Sequence, residues 1–422
     1  MMDKAHKLNS LTGLRFVAAA GIVLLHSGWF GMTAYKVINL GLFVDLFFIL
    51  SGFILAYNYP RLDSAGGRGR FLLARFARLW PAHALGLLLM VLLYKHPTLP
   101  VSGIGPSGVA VLNLFMIHSW IPVQNLVFSY NGPSWSIATE FGFYILFLFL
   151  IQRWERTWHV KLLLTCVLAC ALPSLLLLTG LPGEDASGEI LSTASLGFHP
   201  LMKVWEFTAG MSAALLWRQL SPRLRIGAVK GTLLELSAVA LVAAVMYIRF
   251  QRTVAPQLLP YVGKIGVMLL FVAGPLALLI VVLANERGWV SRLLGSRPGV
   301  LLGEISYTIY ILHFILIHYY SEHFSAFTRL PGWLAYGVFW LILLTVCHFV
   351  YVGFERPVRG WLVGLWPTPG RSDVRPSGVS SAGAPRTLWQ RLVDPSRRLL
   401  AGEALMLGCL LLSVVVYATR RH

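Results

Sequence analysis

Charged residues are scarce in this sequence. Asp, Glu, Lys and Arg together make up 12% of the 422 residues, whereas hydrophobic residues make up 57%. A soluble globular domain has about 25% charged residues, so this composition excludes an ordinary soluble domain. A helix that crosses a bilayer needs about 20 mostly apolar residues, and the chain contains many such stretches. The fold class that we predict is all-α, a polytopic membrane helix bundle.

Cysteine is scarce too, and every cysteine lies inside an apolar stretch. The four are Cys166, Cys170, Cys347 and Cys409. Buried cysteines behave as small hydrophobic residues, so the pattern argues against a disulfide framework or a zinc site. We expect no metal in this protein.

The shortage of acidic residues leaves a large positive charge. There are 17 Asp and Glu against 35 Lys and Arg, a formal net charge of +18. Such an excess can indicate nucleic-acid binding, but here the basic residues lie between the apolar stretches, where they orient a membrane protein. We therefore expect the lipid bilayer, and no nucleic acid, as a partner.

Ten apolar segments and an additional eleventh are predicted to span the membrane. They cover residues 10–30, 40–58, 71–94, 133–151, 162–180, 200–217, 232–248, 262–284, 300–320, 332–354 and 399–418. The run 108–117 is too short to span and is predicted to be re-entrant or interfacial. With this arrangement most loop Lys and Arg collect on one side, which predicts a cytoplasmic N-terminus. The first segment has no convincing cleavage site, so we predict that it is retained.

Composition divides the chain into three regions. Residues 1–360 form the ten-helix core, 361–398 a basic linker rich in Pro, Gly and Ser, and 399–422 the extra C-terminal transmembrane helix. A solvated cytoplasmic linker is favoured over one that binds anionic lipid headgroups. We expect no second catalytic domain after the last helix.

Arg15 and His26 are ionisable residues inside the first predicted helix. They are eleven positions apart, which places them on one face about 16 Å apart along the axis. A neutral imidazole can take a proton from a hydroxyl, and a guanidinium can bind a phosphate. The alternatives are a histidine bonded to a backbone carbonyl and an arginine that reaches the membrane surface.

Arg75 and Arg78 lie three positions apart at the predicted cytoplasmic end of the third helix. Two neighbouring guanidinium groups suit a ligand with several phosphates. The alternative is simple anchoring by the positive-inside rule.

Two carboxylates lie within predicted spans near the opposite end. Glu140 in the fourth helix and Asp45 in the second could orient His26 or bind the hydroxyls of an acceptor. Structural pairing is the alternative. Lys203 and Glu206, three positions apart in the sixth helix, are predicted to pair with each other.

A polar stripe occupies the ninth predicted helix. Ser306, Tyr310 and His313 follow helical spacing and are predicted to face the interior of the bundle. Such a stripe can line a cavity or can join helices by hydrogen bonds.

Six motifs in order resemble the acyltransferase 3 family of ten-helix membrane acyltransferases. They are Leu-Thr-Gly-Leu-Arg-Phe leading to His26, Val-Asp-Leu-Phe-Phe-Ile-Leu-Ser-Gly-Phe (44–53), Arg-Phe-Ala-Arg-Leu-Trp-Pro (75–81), Trp-Ser-Ile-Ala-Thr-Glu (135–140), Ser-Tyr-Thr-Ile-Tyr-Ile-Leu-His (306–313) and Phe-Glu-Arg-Pro (354–357). The resemblance implies that Arg15 and His26 are required for transfer, and that Arg75 and Arg78 handle acyl-CoA. We expect Trp135 to line the substrate cavity with the stripe.

The resemblance further implies the reaction. The protein is expected to move an acyl group, by default acetyl from acetyl-CoA, to a hydroxyl of an extracytoplasmic glycan or glycolipid at a bacterial cytoplasmic (inner) membrane. Direct transfer and a covalent acyl-enzyme both stay open, and the sequence carries no signal for the oligomeric state. The rival hypotheses are a secondary transporter or lipid flippase and a non-catalytic scaffold that uses the basic tail.

Overall fold

The computed structural model describes residues 7–33, 37–62, 64–95, 97–178, 182, 186–223, 226–250, 271–323 and 330–366. Within these ranges the chain is helical, and β-pairing is limited to two isolated bridges. The predicted eleventh helix and most of the predicted linker lie outside the described residues. The predicted all-α fold class is therefore confirmed for the described part of the core.

Thirteen helices of six or more residues are described. They are α1 (Asn9–Leu25), α2 (Leu42–Asn58), α3 (Ala65–Leu93), α4 (Pro106–Leu114), α5 (Trp135–Leu150), α6 (Trp154–Leu178), α7 (Pro200–Leu220), α8 (Ala228–Phe250), α9 (Gly274–Ala284), α10 (Trp289–Leu294), α11 (Arg297–His323), α12 (Gly332–Val350) and α13 (Arg356–Gly364).

Several of these helices are suited to a membrane. In the described residues, five helical stretches are long and apolar enough to cross one: 66–93, 132–150, 228–248, 297–323 and 332–364. Three shorter helices, including α1 and α2, are also apolar. The predicted number of ten plus one stays a prediction. The run predicted as re-entrant overlaps α4, whose nine residues rise only about 14 Å.

The first helix is shorter than predicted. α1 ends at Leu25, and His26 is its C-terminal cap, whose backbone N–H donates to the carbonyls of Ile22 and Val23. A short 3₁₀ turn follows over Ser27–Phe30. His26 thus lies at the very end of α1, while Arg15 lies near its start.

Glycine allows α2 and α7 to cross at very short distance. A Cβ atom added at Gly52 would overlap the carbonyl oxygen of Phe207, and one added at Gly210 would overlap that of Ile49. Small residues at such crossings let backbones approach, and dispersion contacts then hold helices together where lipid removes the usual hydrophobic driving force. The crossing fixes the relative position of these two helices.

A second close contact holds α1 against α11 and α10. A Cβ atom at Gly303 would overlap the carbonyl oxygen of Thr12, and one at Gly13 would overlap that of Leu294. The start of α10 is fixed in turn by the buried carboxylate of Glu235 in α8, which accepts backbone N–H groups from α10 and the residue before it. α1 therefore lies along α11 in a defined register.

We predict that Gly52→Ala destabilises the protein, because the new methyl group would collide with backbone that cannot move away cheaply. Overpacking of this kind costs about 1–3 kcal/mol. The matched control is Gly337→Ala in α12, where a Cβ atom meets open space; it should be neutral or stabilising by up to about 1 kcal/mol. Thermal unfolding of the two variants in detergent, followed by fluorescence, checks this. Equal unfolding temperatures would contradict the proposed role of the crossing.

Candidate active site

Two cavities lie next to each other inside the helix bundle. The first, here called the Arg15 cavity, is lined by Arg15, Val44, Phe47, Phe48, Ser51, Arg78, Leu79, Ser136, Ile137, Glu140, Ser306, Tyr307 and Tyr310. The second, the His26 cavity, is lined by Ile22, Leu25, His26, Gly41, Val44, Asp45, Phe128, Tyr130, Gly132, Pro133, Trp135, Gly197, Phe198, Lys203, Tyr310 and Phe314. Their volumes are about 50 Å³ and 590 Å³. Both cavities share Val44 and Tyr310, so these residues separate them.

His26 is held by its own helix and by a second histidine. Its Nδ1 lies 3.0 Å from the carbonyl oxygen of Ile22 and 3.2 Å from Nε2 of His313. Nδ1 of His313, in α11, lies 3.2 Å from the carbonyl oxygen of Ile309. His313 is completely buried, so it supports the His26 ring from behind while His26 itself lines the cavity.

When both rings are neutral, these contacts favour one assignment of their protons. A carbonyl oxygen only accepts hydrogen bonds, so His313 carries its proton on Nδ1 and offers a bare Nε2. Nδ1 of His26 faces that bare nitrogen and a carbonyl, so it carries the proton of its own ring. The Nε2 atom of His26 is then unprotonated, which is the form that a general base requires.

The two carboxylates do not orient His26 as predicted. Glu140 accepts hydrogen bonds at Oε1 from Ser51 Oγ at 2.9 Å and from Tyr144 OH at 2.6 Å. It lines the Arg15 cavity and not the His26 cavity. The hypothesis that Glu140 orients His26 is therefore wrong, since its neighbours in α2 and in its own helix occupy it.

Asp45 shares the His26 cavity but bonds elsewhere. Its Oδ1 accepts a hydrogen bond from the Lys203 ammonium at 3.0 Å, and the same ammonium lies 2.8 Å from Oε1 of Glu206. The predicted pair of Lys203 with Glu206 is confirmed, and Asp45 extends it to three charges. Asp45 does not hydrogen-bond His26, whose ring is held by a backbone carbonyl and by His313.

Arg15 and Arg78 meet across the first cavity although they come from α1 and α3. Both are half-buried. Among the described residues, neither guanidinium makes a hydrogen bond or an ion pair. Two unpaired cations on one cavity wall are available for an anionic ligand, because the guanidinium fork matches phosphate oxygens.

Arg75 has different surroundings from Arg78 despite the spacing of three. Its guanidinium donates to the Tyr59 hydroxyl at 3.2 Å and lies 5.5 Å from the Tyr59 ring centre and 5.8 Å from that of Phe71. It does not line the Arg15 cavity. Of the two arginines predicted to act together, the structure brings only Arg78 to the cavity.

The predicted polar stripe of α11 is buried and faces the interior. Ser306 lines the Arg15 cavity and donates to the Gly303 carbonyl oxygen at 2.8 Å. Tyr310 hydrogen-bonds Ser136 at 2.7 Å and the carbonyl oxygen of Pro133 at 3.1 Å, which fixes its ring between the two cavities.

The sequence prediction missed several lining residues. Ser51 and Ser136 line the Arg15 cavity, and Phe198 lines the His26 cavity. Ser51 follows Val44 by seven positions, so the two lie on one face of α2 and helical spacing could have identified it. Phe198 comes from a loop, where no periodicity exists to identify it.

Residues 8–352 match the model of a known protein family, which is described as an acyltransferase domain. The chain belongs to the acyltransferase 3 family. The matched range includes every residue that lines either cavity, so both cavities belong to the acyltransferase 3 domain. With its apolar helices, the protein is an integral membrane acyltransferase.

Curated relatives in the acyltransferase 3 family cover most of this chain. Acyltransferase MdmB of Streptomyces mycarofaciens is 30% identical over 76% of this chain and 81% of its own length. Peptidoglycan O-acetyltransferase OatA of Listeria monocytogenes is 27% identical over 73% of this chain, and the match spans 49% of OatA. The putative peptidoglycan O-acetyltransferase YrhL of Bacillus subtilis is 27% identical, with 83% of this chain and 54% of its own length covered. No solved structure matches the chain.

We predict that His313→Leu changes the protonation pattern of His26. Without the bare Nε2 of His313, the proton on Nδ1 of His26 loses one of its two acceptors, and the population with a protonated Nε2 should rise. Nitrogen-15 NMR of histidine-labelled protein in nanodiscs reports the two forms directly. His159→Leu is the control, because His159 is exposed and remote from the cavity lining. An unchanged His26 spectrum in His313→Leu would contradict the assigned role.

Proposed function

We propose that this protein transfers an acyl group, acetyl by default, from cytoplasmic acyl-CoA to a hydroxyl of an extracytoplasmic glycan or glycolipid. We place it in a bacterial cytoplasmic membrane with its N-terminus inside. The observation that carries the proposal is the pair of adjoining cavities, one with two unpaired arginines and the other with His26, whose Nε2 makes no hydrogen bond among the described residues. The names of two relatives, which describe O-acetylation of peptidoglycan, support a glycan acceptor.

The Arg15 cavity suits the donor. Arg15 and Arg78 would bind phosphate oxygens of coenzyme A, whose pantetheine arm is thin enough for a narrow cavity. The arm would extend past Val44 and Tyr310, so that the thioester carbonyl reaches the His26 cavity. Arg75, which is held by Tyr59, would then be an additional cation outside the lining of this cavity.

The His26 cavity suits the acceptor and the chemical step. Nε2 of His26 removes the proton of the acceptor hydroxyl as its oxygen attacks the thioester carbonyl. The new ester C–O bond forms, the C–S bond breaks, and the thiolate of coenzyme A takes the proton back from the imidazolium. His313 and the Ile22 carbonyl stabilise the proton on Nδ1 throughout, and the apolar wall limits hydrolysis by water.

Direct transfer is the simpler route for this geometry. No cysteine is among the residues that line the two cavities, and the serine hydroxyls that line the Arg15 cavity are engaged with Glu140, Tyr310 and a backbone carbonyl. An acyl-enzyme on serine would need one of these hydroxyls to be released first.

We predict that Arg78→Gln weakens binding of coenzyme A by about 10- to 100-fold, which corresponds to one lost charge-assisted contact of roughly 1.5–3 kcal/mol. Calorimetry in nanodiscs without acceptor measures this. Arg156→Gln, at an exposed position of α6, is the control and should bind normally. Equal affinities of the two variants would remove Arg78 from the donor site.

We predict that His26→Gln abolishes transfer but leaves binding of coenzyme A intact, since the side chain lies in the other cavity. Labelled acetyl-CoA is supplied to inside-out and right-side-out vesicles, and the label on acceptors is counted. His159→Gln is the matched control. Transfer only with acetyl-CoA on the cytoplasmic face, lost in His26→Gln alone, supports the proposal.

Two outcomes of the vesicle experiment would contradict the proposal. Normal transfer by folded His26→Gln would remove the general base. Solute or lipid movement without consumption of any acetyl-CoA would favour the transporter or flippase, for which adjoining cavities through a bundle are equally suitable.

A further inference from the structure

An aromatic wall forms one side of the His26 cavity. The ring centres of Phe128 and Phe198 are 4.8 Å apart, as are those of Trp135 and Phe198, and both pairs meet nearly edge to face. All three residues line the cavity, although they come from a loop, from the start of α5 and from the segment before α7. Edge-to-face packing holds each ring in place, so the wall is rigid before any ligand arrives.

A group of three charges forms a polar end of the same cavity. Lys203 contacts Asp45 at 3.0 Å and Glu206 at 2.8 Å. Glu206 is completely buried, whereas the side chains of Asp45 and Lys203 keep 14% and 22% of their exposure and line the cavity. The polar atoms that this group presents to a ligand are therefore an acceptor on Asp45 and a donor on Lys203.

The stability of the helix bundle does not require such a group of charges. Charges removed from water cost several kcal/mol each, and apolar side chains of similar size often stabilise a structure as well or better. The group does fix the carboxylate and the ammonium in one geometry, because Glu206 holds Lys203 from behind. A fixed donor and acceptor bind a ligand without loss of side-chain freedom.

We propose that this wall and this polar end form the binding site for a neutral sugar ring of the acceptor. The inference rests on the proposed function, and it names the ligand that the His26 cavity would bind. A pyranose ring has apolar C–H faces and hydroxyls around its edge. One face would lie on Trp135 and Phe128, while neighbouring hydroxyls donate to Asp45 and accept from Lys203. A further hydroxyl then points toward Nε2 of His26.

The size and chemistry of the cavity favour this ligand over a simple lipid alcohol. A volume of about 590 Å³ is within the range of small-molecule sites, which are roughly 300–1,000 Å³, and accommodates one or two sugar rings. An aliphatic alcohol would use the apolar wall but would leave Asp45 and Lys203 without partners among its atoms. Unmatched polar groups discriminate strongly against a ligand that cannot pair with them.

The test measures binding of methyl N-acetyl-β-glucosaminide, as a neutral pyranoside, to the full-length protein in nanodiscs without acyl-CoA. Saturation-transfer NMR compares it with cyclohexylmethanol, an alcohol of similar ring size without further hydroxyls. Variants are Trp135→Ala and Asp45→Asn, and the control is Trp333→Ala, whose side chain on α12 is 71% exposed. Phe128→Leu replaces Asp45→Asn if that variant does not fold. Calorimetry of coenzyme A is run on every sample.

We expect the pyranoside to bind about tenfold more weakly to Trp135→Ala and Asp45→Asn than to wild type, which corresponds to about one lost contact of each kind. Trp333→Ala should bind both probes normally, and coenzyme A should bind equally to all samples. Cyclohexylmethanol should be insensitive to Asp45→Asn. This set of results supports the sugar site.

Three results would overturn the sugar site. Pyranoside binding unchanged in both variants would place the sugar elsewhere, and cyclohexylmethanol binding as well as the pyranoside would make the cavity a general apolar site. No pyranoside binding by folded wild type would exclude the class. None of these three results contradicts the proposed function as long as coenzyme A still binds through Arg78. Failure to bind coenzyme A would contradict the proposed function and not the sugar site.

Discussion

The candidate active site depends on one packing constraint, the backbone contact of α1 with α11 and α10. Gly13 and Gly303 let these helices approach so closely that a methyl group at either position would overlap a carbonyl oxygen. Because lipid offers no hydrophobic force between helices, this close contact and the hydrogen bonds that it permits must define the register. The register brings His26 to His313 and Arg15 to the cavity that Ser306 lines. A shift of α11 by one residue would rotate its stripe by about 100° and separate both pairs.

The charged side chains beside the two cavities differ in how they are paired by hydrogen bonds. Asp45 and Glu206 both contact the Lys203 ammonium beside the His26 cavity, while Glu140 is bonded to two hydroxyls beside the Arg15 cavity. Arg15 and Arg78 have no such partner among the described residues. Half-buried cations without a hydrogen bond or an ion pair are costly in an apolar bundle. A bound anion would offset this cost, which is why the proposed function assigns the phosphates of the donor to the Arg15 cavity.

Helical periodicity predicted which residues face the interior of the bundle, but it did not predict which residues of different helices contact each other. The stripe of Ser306, Tyr310 and His313 was predicted from helical spacing and is buried, because spacing within one helix is a local property. For His26 the sequence suggested a carboxylate partner or, as the alternative, a backbone carbonyl, and the structure has the Ile22 carbonyl together with His313. From their depth in the membrane, Glu140 and Asp45 were predicted to lie near His26. Their contacts depend, however, on how α2 and α5 are rotated about their own axes. The glycine crossing with α7 sets the rotation of α2, and a contact between two helices cannot be predicted from either helix alone.

In the proposed reaction, Tyr310 would lie between the donor in the Arg15 cavity and the acceptor in the His26 cavity. Its hydroxyl is fixed by Ser136 and the Pro133 carbonyl, and its ring forms part of both walls. The Arg15 cavity is narrow, so a bound pantetheine arm would fill it and leave little space for water. The thioester would then be accessible only to molecules in the His26 cavity. Since the proposed base and the proposed acceptor site lie on that side of Tyr310, a hydroxyl held there by the cavity wall would reach the thioester before solvent does. One fixed aromatic ring between the two ligands would thus favour acyl transfer to the acceptor over hydrolysis.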